Sequence, residues 1–333
     1  MVTMAEVGRL AGVSVATVSH VINGTRAVRP ATAERVLAAV KSTGYTPNTV
    51  ARGLARARTQ SIGLVLSAIS NPYFMEVVAA IEAAVGRADH VLLLGNSQED
   101  PEQELRVVQA LVQRRVDGLL LAPTADAGDH VLRYLAGQSL PVVLLDRFVS
   151  AGLDVVATEN EQATAGLVEH LAGLGHRRIG MVGGFQGVST TVERVRGYRT
   201  GLLRSGLRED EALIAESGWR EATRAATHAL LDLPEPPTAL VSGANHITID
   251  VLHVLAERAL RVPDDVALVA FDDFDWADLL APRLTTVAQQ TGLIGERAVE
   301  LMLSRIDDPD LPARHERIET TFVHRDSCGC HIV

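Results

Sequence analysis

Polar and aromatic side chains recur next to the apolar segments of this chain. Aspartate ends two of these segments, as Asp146 after VVLL and Asp272 after VALVAF. Loops at the carboxyl ends of parallel strands face a common cleft, where ligands usually bind. Carboxylate, amide and guanidinium groups bind pairs of hydroxyls, and an aromatic face stacks on the C–H face of a sugar ring. The candidate ligand-binding residues are Asn71, Tyr73, Phe74, Asp146, Arg147, Thr190, Arg194, Trp219, Asn245 and Asp272.

Several of these residues also have an ordinary structural explanation. Arg194 could be a surface arginine paired with an acid, and Asp272 could cap the following helix. Trp219 could belong to an ordinary lobe core, while Tyr73 and Phe74 could pack the start of a helix. The sequence leaves these alternatives open.

Common enzyme motifs are missing from the chain. There is no nucleophile elbow, no HExxH zinc motif and no GxGxxG opening the first helix of the body. The segment GVST at 187–190 lacks the GK[ST] ending of a phosphate loop. Carboxylates in a sugar site bind hydroxyls even where no reaction is catalysed, so they do not by themselves indicate an enzyme. We therefore expect no enzymatic activity and no cofactor.

Two cysteines, Cys328 and Cys330, lie near the end of the chain. With one residue between them, they are poor partners for a structural disulfide. His324 and His331 are close in sequence, so a metal site is one interpretation. The other is a reduced, loosely ordered tail, and it is the one we expect; we therefore predict no metal site.

The chain starts with the pattern of two short helices joined by a glycine turn. Thr3 and Glu6 have capping-box spacing, and Val7 and Leu10 form an apolar stripe at helical spacing. Gly12 suits the tight turn between the helices. The pattern predicts a helix-turn-helix, whose second helix enters the major groove of DNA.

The second helix combines an apolar inner face with a small, polar outer face. Ser14 is placed to cap it, and Val18, Val21 and Ile22 face inward. Small side chains approach base edges closely, and hydroxyls and an imidazole supply hydrogen bonds. The predicted DNA contacts are Val15, Ala16 and His20 to bases, and Thr17, Asn23 and Arg26 to the backbone or the edge of the groove.

Charge separates this headpiece from the rest of the chain. Residues 1–60 carry eight arginine or lysine residues and two glutamates, a net charge of +6, whereas the whole chain has −10. Phosphate binding needs local positive charge, and an acidic body resists non-specific wrapping of DNA. The alternative is a small helical domain with a solvated basic face.

No membrane or export signal is evident in the sequence. No apolar run approaches the length of a membrane span, and no signal-peptide pattern opens the chain. We expect a cytoplasmic protein with no membrane partner, and the predicted DNA-binding headpiece would associate it with the nucleoid.

Apolar strands alternate with helices through the body, which begins at about Ser61. Asn71-Pro72 and Asp100-Pro101 each place a capping side chain before a proline, which predicts helix starts. Continuous apolar strands that alternate with helices predict parallel sheets covered on both faces, here in two doubly wound lobes. The predicted strands are 62–66, 91–94, 118–122 and 142–146, followed by 178–184, 238–243 and 266–272.

The chain resembles the lactose/galactose-repressor (LacI/GalR) family of bacterial regulators over essentially its full length. The motifs that carry the resemblance are AGVSVATVSHVINGTRAV, TPNTVARGLARARTQSIGLV, GLGHRRIGMVGG and RVPDDVALVAFDD, in this order. The resemblance implies a small all-α helix-turn-helix headpiece and an α/β body of two doubly wound lobes, like a periplasmic binding protein. The implied domains are the headpiece 1–47, a hinge helix 48–60, an N-lobe of 61–158 and 289–320, and a C-lobe of 159–288 and 321–333.

The resemblance also implies a function and a set of site residues. It implies a homodimeric repressor that binds near-palindromic duplex DNA and is controlled by a small effector between the lobes. Leu54 falls on the family's wedge leucine, which inserts between base pairs in the minor groove. The implied effector-pocket positions are Tyr73, Phe74, Arg147, Thr190, Arg194, Trp219, Asn245, Asp272 and Gln289.

Three hypotheses about the ligand and its role remain open. A sugar is the effector we expect, because Arg147 follows Asp146 where the purine-repressor branch has tryptophan. A nucleobase or nucleoside is the second, since His20 with Asn23 resembles that branch. The third is a sugar-binding protein or enzyme with a vestigial headpiece.

One departure from the family is His246, which stands where aspartate is usual.

Overall fold

The computed structural model describes residues 2–45, 58–125, 130–149 and 152–330. The chain divides into two compact units, Met1–Thr59 and Gln60–Val333. The first is the headpiece and the second is the body.

Three helices form the described part of the headpiece: α1 (Met4–Ala11), α2 (Val15–Asn23) and α3 (Pro30–Thr43). The capping box at the start of α1 is present, and Ser14 caps α2 by accepting the Thr17 N–H at 3.2 Å. Gly12 has a φ of 67°, so the turn needs a residue that adopts the left-handed conformation without strain. The apolar core of the unit is Val7, Ala11, Val18, Val36, Ala39 and Tyr45.

One detail of the predicted α1 stripe is wrong. Leu10 is 58% exposed, whereas Ala11 is buried beside Val7. The buried face therefore follows the i, i+4 spacing of Val7 and Ala11, because α1 packs against α2 and α3 along this line.

The body contains two six-stranded sheets, each of which defines a lobe. The strands are β1 (Ser61–Leu66), β2 (Val91–Asn96), β3 (Gly118–Leu121), β4 (Val142–Leu145), β5 (Asp154–Thr158), β6 (Ile179–Val182), β7 (Ile214–Ala215), β8 (Ala239–Ser242), β9 (Ala267–Phe271), β10 (Thr285–Ala288), β11 (His315–Ile318) and β12 (Thr321–Val323). The first lobe has the order β11-β5-β4-β3-β1-β2, all parallel. The second has the order β12-β10-β9-β8-β6-β7, with β12 antiparallel.

Helices cover the faces of these sheets. They are α4 (Pro72–Arg87), α5 (Pro101–Gln113), α6 (His130–Ala136), α7 (Glu161–Gly173), α8 (Ser189–Arg204), α9 (Arg220–Leu231), α10 (Asn245–Glu257) and α11 (Thr291–Asp307), with short 3₁₀ turns at 211–213 and 275–279. Asn71 and Asp100 cap α4 and α5 as predicted, by accepting backbone N–H groups. The two predicted doubly wound lobes are therefore present.

The chain passes between the lobes three times within the described residues. It leaves the first sheet after β5, returns after β10 for α11 and β11, and leaves again for β12. Each lobe thus consists of separate stretches of sequence.

The end of the chain differs from the loosely ordered tail that we expected. Cys328 is completely buried and belongs to the apolar core of the second lobe. The Ser327 hydroxyl donates to the Leu268 carbonyl at 2.6 Å, and the Leu268 N–H donates to the Ser327 carbonyl at 2.9 Å. These contacts order the tail as far as Cys330.

Among the described helices, none combines the length and apolar character needed to cross a membrane.

Candidate functional site

Two aspartates stand at corresponding points of the two lobes. Asp146 follows β4 and Asp272 follows β9, each at the carboxyl end of its strand. Both are buried, and their φ angles are 63° and 75°. A positive φ is uncommon in residues other than glycine and clusters at functional sites. The fold therefore holds two carboxylates at the edges of the sheets where a ligand cleft was predicted.

Asp272 accepts two hydrogen bonds from protein groups. Its Oδ2 accepts the Asn245 N–H at 3.0 Å, and its Oδ1 accepts the Gln289 Nε2–H at 2.6 Å. Gln289 is also hydrogen-bonded to the hydroxyl of Thr158, at a crossing between the lobes. Asp272 thus accepts a backbone N–H at the start of α10, whereas the 3₁₀ turn that follows Asp272 has no side-chain cap.

Arg194 is a buried arginine on α8. Its Nε donates to Asn160 Oδ1 at 2.9 Å, and its Nη1 donates to the Gly243 carbonyl at 2.6 Å. The guanidinium carbon lies 3.7 Å from the centre of the Phe271 ring, within the range of a cation–π contact. Arg194 is therefore fixed inside the body and is not a surface arginine.

Arg147 is held by a carboxylate that sequence reasoning did not identify. Its Nη1 and Nη2 donate to Glu99 at 2.9 and 2.5 Å, and Nη1 also donates to the Pro123 carbonyl at 2.6 Å. Its Nε is buried, lies 3.8 Å from the Asp146 carboxylate and has no hydrogen-bond partner in the described part of the chain. Since an unsatisfied buried donor costs about 1–3 kcal/mol, this N–H is suited to an oxygen of a bound ligand.

Tyr73 and Phe74 lie side by side at the start of α4. Their ring centroids are 5.1 Å apart, and both side chains are buried. Burial raises the pKa of Tyr73 well above 10, and the nearby Asp146 carboxylate raises it further. The Tyr73 hydroxyl therefore keeps its proton beside the Asp146 carboxylate.

His246 adds a neutral polar group to the site. Burial is the main cause that lowers the pKa of its imidazole, so the ring is uncharged at pH 7. Its Nε2 is buried without a hydrogen-bond partner among the residues that the structure describes. Like Arg147 Nε, this atom is available to a ligand.

A narrow cavity lies between the lobes. Its volume is about 60 Å³, which is room for about four water molecules. The predicted residues that line it are Asn71, Tyr73, Phe74, Asp146, Arg147, Thr190, Arg194, Asp272 and Gln289. A neighbouring cavity of about 320 Å³ shares Tyr73, Asp272 and Gln289 with the first, so the two adjoin.

Two predicted residues do not line the narrow cavity. Asn245 is buried next to Asp272 and bridges the lobes instead. Trp219 is 48% exposed, so it is not core; its ring lies 5.1 Å from that of Phe185 and 6.2 Å from that of His246. Phe185 and His246 line the cavity, which places Trp219 at its rim.

Hydrogen bonds between the lobes close the cleft in this structure. Asn245 Nδ2 donates to Asn71 Oδ1 at 2.8 Å, and the Phe148 N–H donates to Ser189 Oγ at 2.9 Å. Each bond joins a loop of the first lobe to the second. A ligand larger than a few waters therefore fits the narrow cavity only if the lobes move apart.

A second contact between the lobes is an ion pair. Arg317 on β11 donates to Glu193 on α8 at 2.9 and 2.5 Å. Glu193 also accepts from Asn160, whose Oδ1 holds Arg194. Sequence reasoning did not select Glu193 or Asn160, because their partners are far away in the chain. Helix α8 thus carries both Glu193, which joins the lobes, and Arg194, which lies in the site.

The headpiece presents several predicted DNA contacts at the start of α2. Val15 is 47% exposed and Ala16 is also exposed. Thr17 is half-buried, and its hydroxyl lies 3.0 Å from that of Ser14. This helix start has the small, accessible surface needed to approach base edges.

The other predicted contacts follow along α2 and its exit. His20 Nδ1 is hydrogen-bonded to the Thr25 hydroxyl at 2.9 Å, which leaves Nε2 as the ring nitrogen suited to a base. Asn23 Nδ2 donates to the Ser19 hydroxyl at 3.1 Å, and Arg26 is exposed. Leu54 lies outside the described residues.

Comparison with known proteins decides the family. A model described as "Bacterial regulatory proteins, lacI family" matches residues 3–48, and a "Periplasmic binding protein-like domain" matches residues 168–328. The HTH-type transcriptional repressor PurR of Haemophilus influenzae (strain PittEE) is 32% identical over 323 residues, 96% of each chain. The chain belongs to the LacI family. It is accordingly a DNA-binding transcriptional repressor with an effector-binding body.

Solved structures agree with this assignment. The lac repressor dimer bound to operator and the anti-inducer ONPF has a TM-score of 0.88 and 26% identity, and the match covers 98% of this chain and 99% of that one. The complex of the transcriptional regulator CelR with cellobiose has a TM-score of 0.74 and 30% identity, with 98% and 100% coverage. Both share the headpiece and the body of this LacI-family chain.

Proposed function

We propose that this repressor binds a sugar in the cleft between its lobes and that the sugar controls its affinity for the operator. In this proposal Asp146, Arg147, Arg194 and Asp272 bind hydroxyl pairs, and Trp219 covers the C–H face of the ring. The remaining contacts come from Tyr73, Phe74, Thr190, Asn245 and Gln289.

The observation that carries the proposal is the set of buried polar atoms in the cleft. Arg147 Nε and His246 Nε2 are buried donor or acceptor atoms with no partner in the described residues, and both residues line the cavity. Two carboxylates and two guanidinium groups face the same space. A polyhydroxylated ligand satisfies such a set, because each hydroxyl both donates and accepts.

Binding is coupled to lobe movement in this proposal. The closed cavity has room for about four waters, which is too little for a hexose. A sugar would therefore enter an open form and replace the Asn71–Asn245 bond, which now spans the cleft. The change in the arrangement of the lobes is the signal that reaches the headpiece.

A nucleobase or nucleoside is the second candidate effector. The packed rings of Tyr73 and Phe74 line the cavity and offer an aromatic surface to a flat ligand. The similarity to PurR is consistent with this class. The charged groups around the cavity favour the sugar, since a flat base uses fewer of them.

We propose that the repressor acts as a homodimer on a near-palindromic operator. Apolar side chains of the first lobe are accessible on the edge strand β2 and on α4: Val91 is 63% exposed, Leu94 42% and Met75 47%. In the second lobe Leu279 is 82% exposed. A side-by-side dimer through both lobes would cover these residues.

The proposed domain organisation follows the sequence boundaries. The headpiece is 1–47 and the hinge 48–60, with Leu54 as the minor-groove wedge. The N-lobe is 61–158 with 289–320, and the C-lobe is 159–288 with 321–333. We propose no enzymatic activity.

A thermal-melting screen against free sugars, sugar phosphates and nucleobases tests the effector. A true ligand at 100 times its Kd adds about 2.7 kcal/mol of stability. We expect a free sugar to give the shift and Arg194→Ala to abolish it. The matched control is Arg196→Ala on the same helix, whose exposed side chain pairs with Glu161. A shift with purines alone would select the nucleobase, and turnover of a sugar that Asp272→Asn abolishes would instead indicate an enzyme.

Binding to duplexes selected from a random pool tests the headpiece. We expect His20→Ala to weaken binding by about 1–3 kcal/mol and to relax base preference at one position. Arg26→Ala should weaken binding to all sequences alike and lower the dependence on salt. Equal loss on every sequence for both variants would contradict the assigned roles.

A further inference from the structure

Four potential metal ligands meet in the second lobe, away from the effector cleft. They are His170 on α7 and His324, Cys328 and Cys330 of the tail. One ligand atom from each side chain lies within 4.8 Å of all the others. No part of the proposed repressor function uses this cluster.

The fold brings the four side chains together from two distant stretches of sequence. Strand β12 pairs with β10 and delivers His324 directly after it. The tail then turns at Gly329, whose φ of 83° is left-handed and whose N–H donates to the Asp326 carbonyl at 3.1 Å. This turn puts both sulfur atoms on the same side, against the last turn of α7, which carries His170.

The distance from Cys328 to His324 matches a tetrahedral metal shell, whereas Cys330 lies closer to both than such a shell requires. Cys328 Sγ lies 3.5 Å from His324 Nε2 and 2.6 Å from Cys330 Sγ, and Cys330 Sγ also contacts His324 Nε2. Zinc bonds of about 2.0–2.3 Å place the ligand atoms of a tetrahedron roughly 3.3–3.8 Å apart. Small outward shifts of the two sulfurs would admit the ion.

The burial of these side chains is a further reason to expect a bound metal ion. His170 Nε2 is buried and has no hydrogen-bond partner within the described ranges. Cys328 is completely buried in the core of the second lobe. A polar nitrogen buried in this way costs free energy, which a metal bond would recover.

We propose that His170, His324, Cys328 and Cys330 form a zinc site that fastens the tail to α7. Two thiolates and two imidazoles are the donor set of a structural zinc site, and soft sulfur ligands exclude magnesium and calcium. All four positions are filled by protein, so the ion is structural and leaves no place for a substrate.

The site has a consequence for the neighbouring cleft. Between the ligands His324 and Cys328, Arg325 donates to Asp273 at 2.8 and 2.9 Å. Asp273 is adjacent to Asp272, which lines the cleft. Zinc that orders the tail therefore also holds a wall of the effector site in place.

Metal analysis of the full-length protein tests the proposal directly. We expect about one zinc ion per chain by mass spectrometry, and cobalt substitution should give the intense visible bands of tetrahedral cobalt with thiolate charge transfer. Cys330→Ser and His170→Ala should lose most of the zinc and lower the Tm. The control is His253→Ala, an exposed histidine on α10 outside the cluster.

Three results would overturn the site. One is a wild-type protein that, reduced and supplied with zinc or cobalt, binds neither; this result holds even if a variant fails to fold. Another is zinc content that both Cys330→Ser and His170→Ala retain in full. The third is a Cys328–Cys330 disulfide, detected by mass, that after reduction takes up no metal. None of these outcomes contradicts the sugar or DNA proposals, whose contacts use other residues.

Discussion

The two aspartates of the cleft show how a single residue position is adapted to binding. Asp146 and Asp272 both leave a parallel strand with positive φ. Aspartate tolerates the left-handed region better than most residues, since its short side chain can bond locally. Replacement by a bulky residue would therefore change the backbone turn as well as the charge. The same conformation in both lobes gives the cleft two buried carboxylates that line one cavity.

A buried glutamate behind the cleft makes stability depend on pH. Burial raises the pKa of Glu104 to about 7, although two hydrogen bonds from Thr124 favour its charged form. An unfolded glutamate ionises near 4.5. Between these values the folded chain holds more protons than the unfolded chain, so the free energy of unfolding falls as pH rises from about 4.5 to 7.

Glu104→Gln should remove this loss of stability. Glutamine keeps an acceptor for the Thr124 N–H but carries no charge to bury. We expect the variant to gain about 3 kcal/mol relative to the wild type as pH rises from 4.5 to 8. Urea unfolding at several pH values measures the difference. Glu102→Gln is the control on the same helix, because Glu102 is exposed; equal pH profiles for the two variants would contradict the assignment.

Individual site residues were predictable to the extent that they follow strands. Asp146, Arg147 and Asp272 stand next to apolar segments, so sequence placed them at the cleft. Glu99 escaped notice because it lies 48 residues from Arg147, and no local pattern signals that pairing. The roles of the site residues remain predictions.

At the scale of elements, glycines set how closely helices pack. A Cβ on Gly197 would lie 2.3 Å from the Glu161 carbonyl oxygen, and one on Gly201 would lie 2.7 Å from both the Ala165 carbonyl and Val168 Cβ. These glycines let α7 and α8 approach closely. Because α8 carries Arg194, this packing fixes the depth of that guanidinium in the cleft.

Gly201→Ala should destabilise the body by separating these helices. The added methyl meets backbone and a branched side chain, which cannot move aside freely, so we expect a loss of about 1–3 kcal/mol. Gly166→Ala on α7 is the matched control: nothing lies within 4 Å of its Cβ, and alanine gains up to about 1 kcal/mol in helix propensity. Denaturant unfolding compares them, and a similar effect for both would reject close packing as the cause.

The positions of the strands were easier to predict than the neighbours against which each strand or helix packs. The seven strands predicted from apolar runs all exist, with ends that differ by at most two residues. Strand β2 was expected to be buried, yet Val91 is 63% exposed, because β2 lies at the edge of its sheet. Strand order depends on contacts between distant segments, which periodicity does not contain. For the same reason Leu10 was placed on the wrong face of α1.

At the scale of the whole molecule, contacts between the lobes determine the closed form. The Arg317–Glu193 pair joins β11 to α8. Glu193→Gln should weaken closure, because it removes the charge that holds the guanidinium. Because the narrow cavity of the closed form has no room for the sugar, loss of an interaction of about 0.2–1 kcal/mol should lower the effector Kd roughly 1.4–5-fold.

Calorimetric titration and small-angle scattering measure this effect. The radius of gyration without effector should increase in Glu193→Gln. Glu300→Gln is the control, because Glu300 pairs with Arg297 inside the single helix α11. Unchanged affinity and unchanged dimensions in Glu193→Gln would show that the pair has no part in closure.

The three crossings between the lobes have a consequence for synthesis on the ribosome. Five strands of the first sheet have been synthesised by residue 158, but α11 and β11, which complete the first lobe, come later in the chain. The second sheet is complete only after β12, which ends at Val323. At about 5–20 residues per second, the first lobe stays incomplete for roughly 8–30 s after its fifth strand is made. During this time the face of α4 that packs on α11 is uncovered. The nascent chain thus offers an apolar surface to chaperones late in translation, long after its DNA-binding helices have been made.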